Sequence, residues 1–253
     1  MLKLTGRIHV APDAGQLLSD LGEALLRSAA KAVAERGVFH LALSGGGTPK
    51  PFYEQLATSP AYADLPWEKT HIWIVDERCV PEDDEKSNIK MIREALTDHV
   101  SIPAEQVHPM PVLSDDPAHD YEIAIGKGFG GMTLLEFPRM DFILLGMGGD
   151  AHTASLFPES PALKVIDRWV AVNAGERVVP PTRVTLTYPV INHGWEVAVL
   201  LVGAGKHETL KRIEAQLATG GPDIQELPIT GIDPAQNHGR LTWYLDEAAA
   251  TGG

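Results

Sequence analysis

Residues 141–158 read Asp-Phe-Ile-Leu-Leu-Gly-Met-Gly-Gly-Asp-Ala-His-Thr-Ala-Ser-Leu-Phe-Pro. A short apolar run ends in a glycine turn, and the turn delivers an acid, Asp150, and an imidazole, His152, ahead of a segment that Thr153 is placed to start as a helix. An unbroken apolar run of this length fits a strand covered on both faces. In open α/β sheets such strands run parallel, and ligands sit beyond their carboxyl ends. The stretch therefore predicts a sheet type and the location of a site together.

The same pattern recurs on either side. Residues 38–43, apolar but for His40, read as a buried strand and run into Ser44-Gly45-Gly46-Gly47-Thr48-Pro49, after which Phe52, Tyr53 and Leu56 resume helical spacing. Residues 71–75 end in Asp76-Glu77-Arg78, and residues 196–202 end in Gly203-Ala204-Gly205-Lys206 before helical Leu210 and Ile213. Upstream, Leu17, Leu18, Leu21, Leu25, Leu26, Ala29 and Val33 recur at three- and four-residue steps, predicting a helix between Asp13 and Arg36 that Gly37 stops. Strands alternating with helices need crossover connections. The expected fold is α/β and Rossmann-like, a mostly parallel sheet flanked by helices on both faces, with the four polar or glycine-rich strand ends on one rim. Residues 183–187 read as a further strand, and 109–120 and 220–239 as surface connections. With no repeat or biased linker, residues 1–253 read as a single α/β domain.

Composition narrows the function. The chain carries 34 acidic and 21 basic side chains, a formal charge of -13, which argues against nucleic acid or an anionic membrane as partner. A single cysteine, Cys79, offers neither a disulfide nor a thiolate metal site and suits a reducing cytoplasm. No apolar run approaches the length of a membrane span, so a cytoplasmic location is expected, as a monomer or small homo-oligomer.

Several residues at the predicted rim have chemical potential. The Ser44 to Thr48 turn reads either as a tight turn or as an anion cradle, where glycines let backbone N–H groups approach a phosphate at a helix start. It lacks the Gly-Lys-Ser/Thr ending of a P-loop and the dinucleotide glycine spacing. Asp76-Glu77-Arg78 is either a self-neutralising turn or the support of a guanidinium fork in which Arg78 takes a phosphate and the acids take sugar hydroxyls. Arg183 and Lys206 could join Arg78 in a local cationic pocket. Of the ten histidines, only His152 follows a glycine turn with an acid two residues before it. No metal-ligating spacing occurs, so no metal is expected. Ser155 lies close by, but no G-x-S-x-G elbow accompanies it, which disfavours a serine hydrolase.

Taken together, these segments resemble the 6-phosphogluconolactonases. The matching stretches are Leu43 to Pro49, Asp76-Glu77-Arg78-Cys79-Val80-Pro81, Ser87-Asn88 with the following Met91 to Leu96, Gly146 to Pro158, Arg183-Val184-Thr185, Gly203-Ala204-Gly205-Lys206 and Trp243-Tyr244-Leu245-Asp246. The resemblance implies hydrolysis of 6-phospho-D-glucono-1,5-lactone, the second step of the oxidative pentose phosphate pathway, without a cofactor. It also implies a fold shared with glucosamine-6-phosphate deaminases and ribose-5-phosphate isomerases. On this reading His152 and Asp150 are catalytic. Ser44, Gly45, Gly46, Gly47, Thr48, Asp76, Glu77, Arg78, Asn88, Gly146, Gly148, Arg183 and Lys206 bind the phosphorylated substrate. The chain departs from the family pattern Gly-Met-Gly-Pro-Asp-Gly-His at Gly149 and Ala151. If residue 151 needs a positive φ, alanine there costs roughly 1 kcal/mol. Two other functions stay open: a glucosamine-6-phosphate deaminase, disfavoured by His152-Thr153-Ala154-Ser155-Leu156-Phe157-Pro158, and a non-catalytic sugar-phosphate sensor, for which no DNA-binding segment is evident.

Overall fold

The computed structural model describes residues 2–175 and 178–253. In chain order the elements are β1 (Arg7–Ala11), α1 (Ala14–Arg36), β2 (Phe39–Leu43), α2 (Lys50–Thr58), β3 (Thr70–Ile74), β4 (Asp76–Arg78), α3 (Asn88–Ala95), β5 (Val107–His108), α4 (Pro117–Gly128), β6 (Phe142–Leu145), β7 (Val170–Ala174), β8 (Thr182–Leu186), α5 (Tyr188–His193), β9 (Glu196–Leu201), α6 (His207–Thr219), β10 (Arg240–Asp246) and α7 (Glu247–Thr251). None of these helices is long and apolar enough to cross a membrane.

Seven strands in the order β1-β10-β9-β6-β2-β3-β5 form one sheet, parallel at every pairing and flanked by helices. The order reverses between β2 and β6: β2 leads outward to β3, while β6 leads the other way to β9. A crevice opens outside the carboxyl ends of strands at such a reversal. The two strands beside it, Phe-His-Leu-Ala-Leu and Phe-Ile-Leu-Leu, are buried at every position. Long α1 packs on β10, β1 and β2. Asp13 starts this helix by accepting the Gln16 N–H at 2.8 Å, and Gly37 ends it in the left-handed region at φ 79°. Trp73, Trp169 and Trp243 are among the largest side chains fully enclosed in the core.

The second sheet, β4-β8-β7, is three-stranded and antiparallel. Two expectations change here. Asp76–Arg78 is not the tail of the preceding strand: the N–H of Val75 still bonds to Leu43 at 3.0 Å, after which Asp76 pairs with Thr185 of β8. The strand expected near Arg183 exists as β8, in this small sheet and not in the parallel one.

Near the amino ends of β2 and β3, away from the crevice, His40, His71 and His108 gather around Trp73. His71 Nδ1 lies 2.9 Å from His108 Nε2, the Trp73 indole donates to His40 Nδ1 at 3.1 Å, and His108 stacks on Trp73 at 3.8 Å. Burial lowers all three imidazoles, His40 to about 3 and His108 to about 4. They fold neutral, whereas in the unfolded chain they take up protons from an ordinary value of about 6.5. Stability is therefore full above pH 6.5 and declines as the pH falls toward 4. Thermal unfolding across that window should show a falling midpoint. His108→Phe, which keeps the stack on Trp73 and removes a titrating group, should flatten the decline; an unaltered slope would refute the assignment.

Candidate active site

At the carboxyl ends of β2 and β6, a cavity of about 210 Å³ is lined by Ser44, Gly45, Gly46, Gly47, Thr48, Asp76, Arg78, Asn88, Gly146, Gly148, His152 and Lys206. These residues come from five separate stretches of the chain. A larger, mainly apolar cavity of about 660 Å³ lies by β1 and α7, but none of the residues singled out in the sequence lines it.

The histidine lies on a segment that is not a helix. A helix was expected after the glycine turn, but residues 151–160 form turns, with a single bridge between Thr153 and Leu156. Ala151 at φ 65° and Ala154 at φ 50° leave the right-handed region, and Pro158 disfavours helical backbone at the residue before it. Without a helix, each carbonyl needs another donor. Those of Gly146, Met147 and Gly149 accept from Thr153 Oγ1 at 2.8 Å, Lys206 Nζ at 2.7 Å and Thr209 Oγ1 at 3.0 Å. Those of Gly148, Ala151 and His152 accept from the N–H groups of Ala151 at 3.1 Å, Ile229 at 2.9 Å and Gly148 at 2.9 Å. Ala151 is fully buried, so this network holds an alanine where the backbone favours glycine, at a cost of about 1 kcal/mol.

His152 Nδ1 lies 2.5 Å from Asp150 Oδ1, and the ring packs against Phe157 at 5.0 Å between centroids. Burial acts to raise the Asp150 carboxyl, but the hydrogen bond and charge of His152 outweigh it and hold the group below the usual carboxylate range. A Cβ on Gly148 would lie 2.2 Å from the imidazole, so glycine there makes room for the ring. Asp150 does not line the cavity of His152. It faces a neighbouring one of about 570 Å³ and reaches the first through the histidine.

The cations converge unequally. Arg78 and Lys206 line the cavity, Arg78 donating to the Lys86 carbonyl at 2.6 Å. Arg183 does not line the cavity: it pairs with Arg78 in the β4–β8 register, is 5% exposed, and its Nε and Nη1 have no hydrogen-bond partner among the described residues. Burial and the Arg78 charge lower its pKa. A buried guanidinium short of acceptors is costly, and an anion beside it would offset that cost. The N–H groups of Gly45, Gly46 and Gly47 make no hydrogen bond to other described residues, and they too are available to an anion.

Glu77 stands apart from the cavity. Its carboxylate accepts the N–H groups of Arg78, Asn88 and Ile89 at 2.7 to 2.8 Å and the Ser87 hydroxyl at 3.2 Å, fixing the start of α3. Burial raises its pKa while these donors oppose the rise. The α3 start in turn places Asn88, whose amide donates to the Asp76 carbonyl at 2.7 Å. Among the described residues no cluster of three or more His, Cys, Asp or Glu side chains is arranged to hold a metal. Sequence reasoning missed the polar residues Asn173 and Thr185, both buried beneath the histidine segment. Asn173 shows in the sequence as the single polar side chain of Val-Ala-Val-Asn-Ala, whereas Thr185 shares its strand with Thr182 and Arg183 and stands out only as part of the Arg183-Val184-Thr185 match.

A family model described as glucosamine-6-phosphate isomerases/6-phosphogluconolactonase matches residues 12–243. A 6-phosphogluconolactonase of Synechocystis sp. is 45% identical over 222 residues, covering 87% of this chain and 86% of its own. The solved 6-phosphogluconolactonase from Trypanosoma cruzi matches with a TM-score of 0.82 at 28% identity, covering 98% of this chain and 97% of its own. A monomeric glucosamine-6-phosphate deaminase shares the fold, with a TM-score of 0.78 at 18% identity over 98% of this chain and all of its own.

Gly45 sits so close to Asn88 that an added Cβ would lie 1.8 Å from Asn88 Oδ1. Gly45→Ala should displace that amide and lower stability by about 2 kcal/mol or more, measured by urea unfolding. A change below about 0.5 kcal/mol would show that the loop yields freely.

Proposed function

The chain belongs to the glucosamine-6-phosphate isomerase/6-phosphogluconolactonase family, and on that premise we propose that it hydrolyses 6-phospho-D-glucono-1,5-lactone to 6-phospho-D-gluconate with His152 as general base. The observation that carries the reading is one cavity lined by both the Asp150-paired imidazole and the cations Arg78 and Lys206. A base and a phosphate cradle lining one small space fit a sugar that is phosphorylated at one end and reacts at the other. The second step of the oxidative pentose phosphate pathway and a cytoplasmic location belong to the same proposal.

The chemistry needs little more. A lactone is an activated acyl donor, so water assisted by one base suffices, and such assistance is worth about 10² to 10⁴ in rate. Ionised Asp150 holds the proton on Nδ1 and leaves the Nε2 lone pair to accept a proton from water. The water oxygen bonds to C1, and the carbonyl electrons move onto oxygen as an oxyanion. When that intermediate collapses, the C1 to ring-oxygen bond breaks and the imidazolium returns its proton to the ring oxygen. Free N–H groups of Gly45 to Gly47 are suited to hold either the oxyanion or the phosphate. Arg78, Lys206 and, behind them, Arg183 anchor the phosphate, so binding at the far end positions C1.

Lactone generated in situ should disappear faster with the protein than by spontaneous opening. His152→Ala should lower turnover by about 10² or more while 6-phosphogluconate still binds; a near-normal rate would remove the histidine from the base role. Arg183→Ala should raise KM for the phosphorylated lactone by about tenfold or more and erode the preference over unphosphorylated gluconolactone; an intact preference would remove it from phosphate recognition. Ammonia release from glucosamine 6-phosphate without lactone hydrolysis would overturn the reading.

A further inference from the structure

Three residues beyond His152 the chain reaches Ser155, which is 2% exposed and bonds to every strand of the small sheet. Its hydroxyl donates to Asp76 Oδ2 in β4 at 2.6 Å, its N–H donates to Thr185 Oγ1 in β8 at 3.2 Å, and its carbonyl accepts from Asn173 Nδ2 in β7 at 2.7 Å. The single hydroxyl proton of Ser155 is thus committed to Asp76. Thr185 cannot replace it, because its own hydroxyl donates to the Leu186 carbonyl at 3.0 Å.

Asp76 lines the substrate cavity, and its Oδ1 makes no hydrogen bond to other described residues. The carboxylate is close enough to Arg183 to act on its charge, yet among the described residues it forms no ion pair with Arg183 or Arg78. Something must keep an acid beside two guanidinium groups from turning to neutralise them. We propose that Ser155 is a positioning residue for substrate capture: its hydroxyl holds Asp76 with one oxygen toward the cavity, as acceptor for a sugar hydroxyl, and leaves the guanidinium pair for the phosphate. The inference rests on the function proposed above. A short hydrogen bond to a buried carboxylate is of the charge-assisted kind and resists rotation of the acid. The two remaining Ser155 contacts tie the histidine segment to the sheet and contribute stability without touching Asp76.

The test is a double-mutant cycle read in KM, kcat and the Kd for 6-phosphogluconate. Ser155→Ala should raise KM and Kd by about tenfold and change kcat by less than about threefold. In an Asp76→Asn background the same substitution should raise them by less than about twofold, since the acid it positions is gone. Thr185→Val removes a neighbouring tether; it should lower the thermal midpoint and leave KM within about twofold. If Ser155→Ala does not fold, Ser155→Cys, close in shape but a weaker donor, should give a smaller rise that also vanishes with Asp76→Asn. Equal rises in both backgrounds, or the same rise from Thr185→Val, would show that Ser155 only stabilises the fold and would overturn the inference while hydrolysis by the unaltered protein stands. An unaltered protein that neither hydrolyses the lactone nor binds the product would overturn both readings.

Discussion

The backbone carbonyls of residues 146–152 must be satisfied in a segment that has left its strand and forms no helix. Each unpaired buried carbonyl would cost energy comparable to a lost hydrogen bond. The donors come from the segment itself, from Lys206 and Thr209 beyond β9, and from Ile229. Positive φ at Ala151 and Ala154 is part of the same solution, because it bends the chain so that these donors can be met. His152 is therefore placed by hydrogen bonds from distant parts of the sequence, not by a rigid element of its own. One of those donors, Lys206, also lines the cavity, so the same ammonium group ties down the histidine segment and adds positive charge at the site.

Electrostatics divides the remaining work. The protein carries a net charge of -13, yet the cavity gathers Arg78 and Lys206, with Arg183 paired to Arg78 across β4 and β8. An acidic surface discourages polyanions, while a local cationic pocket still favours one small phosphate. The nearby acids are each committed elsewhere: Glu77 to the start of α3, Asp150 to the imidazole, and one oxygen of Asp76 to Ser155. Those commitments leave the Nε and Nη1 donors of Arg183 without an acceptor among the described residues.

Much of this was legible in the sequence, for physical reasons. Strands of a parallel sheet are covered on both faces, so 142–145 stands out as an unbroken apolar run and 39–43 as one interrupted only by His40, and α1 shows its period and its caps. The crevice followed from the order of strands and glycine turns. What escaped depended on long-range pairing. Asp76–Arg78 is too short for any periodicity and is a strand only because β8 pairs with it. The helix expected after His152 gives way to turns with positive φ at Ala151 and Ala154, whose carbonyl network is completed by donors far away in sequence. Glu77 and Arg78 are adjacent, yet one faces inward to cap a helix and the other lines the cavity, an alternation that only the pairing of β4 fixes. Ser155 read as a possible nucleophile lacking a motif; its three partners lie on strands whose packing the sequence does not state.

The most direct test is a crystal structure with 6-phosphogluconate bound. The account predicts the phosphate within hydrogen-bonding distance of Arg78 and Lys206, with Arg183 behind it, and the C1 carboxylate beside Nε2 of His152. A product phosphate bound away from these cations, or a C1 carboxylate remote from the imidazole, would contradict it.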